Sequence, residues 1–298
     1  MALRASGWSV CSVFLIIMKV FQASSDVFFL GGVNLIDAHA HLSASRINSV
    51  VDEIVKHLSA LGLKHVVLGG VDPDDWMRQL DLSQRYPGFL TTAAGIHPWT
   101  VRDAEDDALA SMISQLRALA PRFDLIGEVG FDFFKDNSPE QKLKQLHWCE
   151  LQLELALQTG KPVVLHVVRG HDQMLKSLKK FKGLRGIIHA FSGSHELARE
   201  YTNQGFVLSI GRRFFNSQKT SNVAWLKDLP FVLESDAPDY KSQEKDPNKI
   251  AQAWMKDLTA SAKALSDALG VSPEDVWLQV EISLKKLLAL TKDLVLKA

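Results

Sequence analysis

One pattern recurs through most of this 298-residue chain and limits what it can fold into. Short runs of aliphatic and β-branched residues are separated by longer stretches whose apolar residues return at helical spacing. The runs are Val33 to Asp37, His65 to Val71, Phe89 to Ile96, Leu125 to Val129, Val163 to Val167, Gly186 to His189, Phe206 to Ile210 and Phe231 to Ser235. Strand alternating with helix is the signature of a parallel sheet, because each crossover must carry the chain back to the same end. Eight such units in about 260 residues meet the requirement of a closed barrel, so the expected fold class is α/β, a (β/α)8 TIM-type barrel.

The clearest helix follows the fourth run. Ser138 can cap it, Pro139 suits the first helical position and Gln141 completes a capping box. Leu143, Leu146, Leu153 and Leu157 then form a stripe expected to face the core, and Gly160 and Pro162 end the helix. Ser272, Pro273, Glu274 and Asp275 open a last helix in the same way. No Ser/Gly-rich linker interrupts the pattern, so residues 33–298 read as one barrel domain.

Residues 1–32 are an extension of different character. Val10 to Phe21 is apolar but broken by Lys19, and Ala23, Ser24 and Ser25 follow, which outlines a secretory leader; an extension ahead of Met18 is the other reading. The run is shorter than the roughly 20 residues that span a bilayer. Stable membrane insertion is therefore not expected, and the compartment expected is cytoplasmic or nuclear.

Composition narrows the function classes. Hydrophobic residues at 46% and charged ones at 23% suit a large buried core. Lys plus Arg and Asp plus Glu are both 34, so no global basic field draws in nucleic acid, and any polyanion site must be local. Cys11 and Cys149 make no disulfide framework and no C-x-x-C pair, which leaves them as small buried hydrophobes.

A TIM-type barrel builds its site at the C-terminal ends of its strands, and these ends are chemically unusual. They carry His39 and His41, Gly95-Ile96-His97-Pro98, Gly127-Glu128-Val129-Gly130-Phe131-Asp132, His166, His189, and Glu234-Ser235-Asp236-Ala237-Pro238. Positions i and i+2 of a strand face the same way, so His39 and His41 can reach one ion. The remaining histidines, His57, His65, His147, His171 and His195, fall where packing or surface roles are expected. The second and seventh strand ends offer no ligand and are read as structural or substrate-facing.

The six motifs at these ends, in this order, resemble the TatD family of metal-dependent deoxyribonucleases, within the amidohydrolase-like barrels, over about residues 34 to 290. The resemblance implies a divalent metal site held by His39, His41, Glu128, His166, His189 and Asp236, with Glu128 bridging. Such a mixed nitrogen and oxygen set suits Zn, Mn or Mg. Two ions about 3.5–4 Å apart can clamp a phosphodiester and acidify a water. The expected activity is hydrolysis of DNA by 3′–5′ trimming, with Asp236 as general base and Glu234 orienting a ligand or substrate, or serving as a hydrogen-bond acceptor behind one.

For the substrate, His97 is expected at a phosphate oxygen, with Arg169 and Arg212 as further contacts. Lys135 and Arg213 are nearby cations, and Trp99, Phe133, Phe134, Phe214 and Phe215 are candidate stacking surfaces. The partner expected is DNA, as single strands or strand ends, and a monomer is the default assembly. The alternatives are a barrel amidohydrolase acting on an ester, lactone or amide, and a non-catalytic metal- or nucleic-acid-binding protein. Two departures from the family pattern stand out: Arg169 lies one residue later after His166 than the family's arginine, and Ser283 to Leu288 replaces an Asn-containing segment that concerns barrel closure.

Overall fold

Burial on both faces turns the apolar runs into strands, as continuous Val/Ile/Leu stretches require in a parallel sheet. The computed structural model describes residues 33–136, 138–217 and 223–295, with side chains through residue 289; the extension 1–32, with its leader-like run and Cys11, lies outside them. The strands are β1 Leu35–Ala40, β2 Leu63–Leu68, β3 Leu90–Thr91, β4 Ala93–Ala94, β5 Leu125–Asp132, β6 Val163–Val168, β7 Gly186–Ile188, β8 Phe206–Ile210 and β9 Phe231–Leu233. Every paired neighbour is parallel and consecutive, β1 to β3 in one sheet and β4 to β9 in the other. Helices connect them, and the chain from Asn34 onward forms one compact unit.

The two sheets are one barrel interrupted at a single residue. Thr92 separates β3 from β4, its N–H donating to Asp124 Oδ2 (2.8 Å) and its C=O accepting from Leu125 N–H (3.0 Å). On the opposite side Asp236 N–H donates to His39 O (3.1 Å) and His41 N–H to Ala237 O (2.7 Å), which closes the barrel between β1 and the end of β9. The third run is thus a short, broken strand instead of one continuous Phe89 to Ile96 segment. Above it the chain after β2 bonds directly to β5, Gly70 N–H to Gly127 O and Glu128 N–H to Gly70 O. Only glycine permits this approach, since a Cβ at position 70 would collide with the carbonyls of Gly127 and Ala93.

Several strand bounds differ from the sequence reading, and two of them bear on the site. β1 continues through His39 to Ala40, and β5 continues past Val129 to Asp132, with all eight of its residues buried. Both continue because their ends line the crowded mouth of the barrel and keep ladder partners there.

The helix Pro139–Thr159 corrects two expectations. Ser138 Oγ accepts from Gln141 N–H (3.3 Å), but the return bond of a capping box is absent because Ser138 N–H already donates to Asp136 Oδ1 (2.9 Å). Of the leucine stripe only Leu153 is fully buried, whereas Leu143 is 67% and Leu157 41% exposed. Gln145, Trp148, Cys149, Gln152 and Ala156 are buried instead, one turn-aligned stripe rotated from the leucines. The reason is hydrogen bonding. Gln152 Oε1 accepts from Ile96 N–H (2.7 Å) while its Nε2 donates to Ile96 O (3.2 Å), and Gln145 clamps Asp132 in the same way (2.8 and 3.2 Å). From β2's following helix, Pro73–Arg85, Gln79 Oε1 accepts from Ala93 N–H and Nε2 donates to Gly69 O, both at 3.0 Å. Buried amides thus pin the irregular backbone beside the third strand. At the last helix, Pro273–Val295, Ser272 and Asp275 do exchange both bonds of a box (3.1 and 3.2 Å). Ser283, Leu284 and Leu287 of the divergent segment pack inside.

This assigns different weights to residues on one helix. Gln152→Leu is expected to cost about 3 kcal/mol, because it leaves the N–H and C=O of Ile96 buried and unpaired. Leu143→Ala is expected to cost less than about 0.5 kcal/mol. Urea unfolding of the two variants, read by circular dichroism, checks the order.

Candidate metal centre

Strand ends around the barrel mouth bring the histidines and acids together. Glu128, 1% exposed, lies at the centre. Its Oε1 is 3.5 Å from His39 Nε2 and 3.4 Å from His41 Nε2. Its Oε2 is 3.3 Å from His166 Nδ1 and 3.8 Å from the Nε2 atoms of His97 and His189. Asp236 faces the same space, 3.4 Å from His41 Nε2 and 4.0 Å from those of His39 and His189. Among the described residues three overlapping groups have metal-binding spacing: His39, His41 and Asp236; His39, Glu128 and His189; and His97, Glu128 and His166.

The six residues expected as ligands therefore converge, and His97, expected at phosphate, is drawn into the cluster. It is buried, its Nδ1 accepts from Trp99 N–H (3.0 Å) and its Nε2 turns inward to within 3.3 Å of His166 Nδ1. Glu234 is also buried and faces the far side of His189, with Oε2 3.0 Å from Nδ1 and Oε1 accepting from Ala190 N–H (2.9 Å). This position suits the holding of a ligand ring, the second of its two expected roles. Asp132, which the sequence reading placed on the rim without a role, accepts from Trp99 Nε1 (2.6 Å) and lies 3.4 Å from His166 Nε2.

Gly69 and Gly70, at the strand end that offered no ligand, turn out to shape the site. A Cβ at position 69 would stand 2.6 Å from His39 Cε1 and 2.7 Å from Glu128 Oε1. The Gly-Gly pair after an apolar run was the available signal, since adjacent glycines mark close approach.

The electrostatics suit a cation. Burial acts to raise the Glu128 pKa, but the neighbouring His39 and His97 and the hydrogen bond from His166 outweigh it and hold the carboxyl well below its ordinary range. Burial likewise opposes ionisation of Asp236, and His189 and His41 more than offset it. Burial and the neighbouring His166 push His97 down to about 3, which keeps the imidazole neutral. Both ring nitrogens of His39 and Glu128 Oε1 are buried without a hydrogen-bond partner. Such atoms are costly unless something else satisfies them, and a divalent cation fits this donor set.

The mouth opens into a cavity of about 550 Å³ lined by His41, His97, Glu128 and Asp236 and by Arg212 and Arg213. Arg213 Nη2 is 4.0 Å from Asp236 Oδ2, whereas Arg212 is 64% exposed at its side chain and pairs with Asp257 (3.7 Å). Arg169 stands outside that lining, its guanidinium 4.6 Å from the Phe134 ring centre. Of the aromatics proposed for stacking, Phe133 and Phe214 are core residues.

Fold and rim define the class: a TIM-type barrel with a candidate divalent-cation centre at the C-terminal ends of its strands. The chain belongs to the TatD family, whose model, that of the TatD related DNases, matches residues 36–289. YjjV of Escherichia coli (strain K12), an uncharacterized metal-dependent hydrolase, is 28% identical over 228 residues, covering 74% of this chain and 87% of its own. Its crystal structure superposes with a TM-score of 0.69 at 23% identity, over 85% of this chain and 97% of that one. Human deoxyribonuclease TATDN3 is 26% identical over 254 residues, 82% of this chain and 91% of its own. The 3′–5′ ssDNA/RNA exonuclease TatD of Salmonella typhimurium is 28% identical over 217 residues, 68% of this chain and 79% of its own.

Gly69→Ala provides a test that leaves every ligand in place. The atoms its methyl meets belong to side chains, so the fold should persist while His39 and Glu128 are pushed apart. Divalent affinity, measured by titration calorimetry, is expected to fall about tenfold or more; unchanged affinity would show that these two groups do not share an ion.

Proposed function

We propose that this chain is a metal-dependent deoxyribonuclease that trims DNA from 3′ ends, using a pair of divalent ions, Mg, Mn or Zn. The observation that carries this reading is the division of Glu128: one oxygen addresses His39 and His41, the other His97, His166 and His189. With its two oxygens so divided, Glu128 would help to hold both ions. His39, His41 and Asp236 would hold one, His166 and His189 with His97 nearby the other. Bound there, the ions would supply charge to the phosphodiester oxygens and make a water acidic enough to attack.

The chain's own residues supply the rest. Asp236, with a side chain 31% exposed to the cavity, is the acid placed to accept the proton of the attacking water. Glu234 and Asp132 brace His189 and His166 from behind, so those rings need not reorient when substrate arrives. Arg213, beside Asp236 at the lip, is placed to meet phosphate charge, and is a better candidate than Arg212, which Asp257 engages. The names of the human and Salmonella relatives support a nucleic-acid substrate. Several amide- or lactone-cleaving barrels use a modified lysine at the fourth strand where this chain has Glu128, which weighs against that alternative.

The test uses chelator-stripped protein, restored with Mg, Mn or Zn, on 3′- and 5′-labelled single- and double-stranded DNA. Metal analysis should find up to two ions per chain. Asp236→Asn and Glu128→Ala should each lower cleavage by about 1,000-fold or more with unchanged circular dichroism. His195→Ala, whose ring stacks on Trp225 (5.0 Å), should change little. Cleavage by Asp236→Asn at the parent rate would remove the proposed base.

A further inference from the structure

Two aromatic rings stand at the lip of the cavity that holds the metal-binding groups. Trp99 and Tyr240 both line it, together with His41, Glu128 and Asp236. Their centroids are 5.5 Å apart and their planes meet at 68°. The rings pack edge to face on each other, a favoured aromatic geometry, and their inclination makes a corner at the cavity wall against which a flat ring can be laid. Tyr240 is 58% exposed although it is a large apolar group.

Both sides of the corner are held in place. Trp99 Nε1 donates to Asp132 Oδ2 at 2.6 Å, and the indole packs edge-on to His97 at 5.0 Å. The loop bearing Tyr240 is fastened by Arg46, which donates to Pro238 O (2.7 Å), Asp239 O (2.5 Å) and Ser242 O (3.1 Å). An exposed ammonium lies over one face of each ring, Lys135 Nζ 5.5 Å from the Trp99 centroid and Lys241 Nζ 5.4 Å from that of Tyr240, and can swing to a phosphate when a base takes its place. Aromatic faces next to cations, on braced backbone, are what proteins present to unpaired nucleotides.

We propose that Trp99 and Tyr240 take the base of the terminal nucleotide in the corner they form, stacked on one ring and against the other, with Lys135 and Lys241 meeting the phosphates that lead away. The proposal rests on the nuclease reading and gives it a source of selectivity. The terminal base of a duplex has its inner face stacked on the next pair and its edge bonded to its partner, so entering the corner requires unpairing, and the site favours single strands and frayed ends. Nothing in the contact depends on base identity, because every base has an aromatic face.

Tyr240 is the residue to vary, since Trp99 is tied through Asp132 to His166. The first measurement is binding of a single-stranded oligonucleotide with 2-aminopurine at its 3′ terminus to the full chain in chelator, where no turnover competes. Stacking should quench its fluorescence. Tyr240→Ala should weaken this binding about tenfold, and Tyr240→Phe should restore it. With metal, Tyr240→Ala should raise KM for single-stranded DNA about tenfold and leave kcat nearly unchanged. On a strand ending in an abasic residue, the difference between parent and Tyr240→Ala should shrink to less than about twofold, because the stacked base is gone. Absence of quenching by the parent, or equal quenching and KM in parent and Tyr240→Ala, overturns the proposal. Quenching without cleavage by the metal-loaded parent would refute the nuclease reading and leave the base site standing. Cleavage without quenching would do the reverse.

Discussion

A buried carboxylate, Asp37, holds the seam on which the metal centre depends. Its Oδ1 accepts from His39 N–H (3.2 Å) and Ser235 N–H (3.1 Å), and its Oδ2 accepts from the Ser235 hydroxyl and from Trp254 Nε1 (2.6 Å). β1 and β9 are far apart in the chain, yet this one group ties them to each other and to the helix Pro247–Leu269. Burial pushes its pKa up to about 7 against those hydrogen bonds. The arrangement decides where His39, His41 and Asp236 stand relative to one another. Asp236 itself adopts a left-handed φ of 58°, a conformation Asp tolerates better than most residues and one that the seam enforces.

The opposite wall of the site is held by different means. There the third strand is too short to complete its ladder, and Gly70 lets the backbone after β2 reach β5 directly. Gln79, Gln145 and Gln152, all buried, take up the hydrogen bonds that the ladder leaves open. Neither feature is a ligand. Both keep Glu128 at the centre, where its two oxygens divide the histidines into two sets. Packing of the barrel thus offsets the cost of gathering buried imidazoles and acids whose own interactions do not favour an empty cluster.

Much of this was legible in the residues. The alternation of apolar runs with helical segments requires a parallel sheet, and histidines at successive run ends identify the rim. Other features were not. The leucines of Pro139–Thr159 suggest a core stripe, but Leu143 faces solvent because the adjacent backbone demands hydrogen-bonding glutamines on the inner face. A buried Gln has no hydrophobic signature, so a periodicity reading passes over it. Asp132 and Tyr240 carry no such signal, and Trp99 is one of five aromatics that the residues alone do not rank, since what sets them apart is what they touch across the mouth.

The linear order of residues determined the strand and helix succession, the family resemblance and which side chains are candidates to hold a metal, because these are local in pattern and type. The tertiary structure alone decided that His97 turns inward, that Glu234 and Asp132 lie behind His189 and His166, that Arg213 and not Arg169 lines the cavity, and that Trp99 and Tyr240 meet edge to face at its wall. Those outcomes depend on distances between groups distant in the chain, and such distances are set only when the barrel closes and each strand end takes its angle to the mouth.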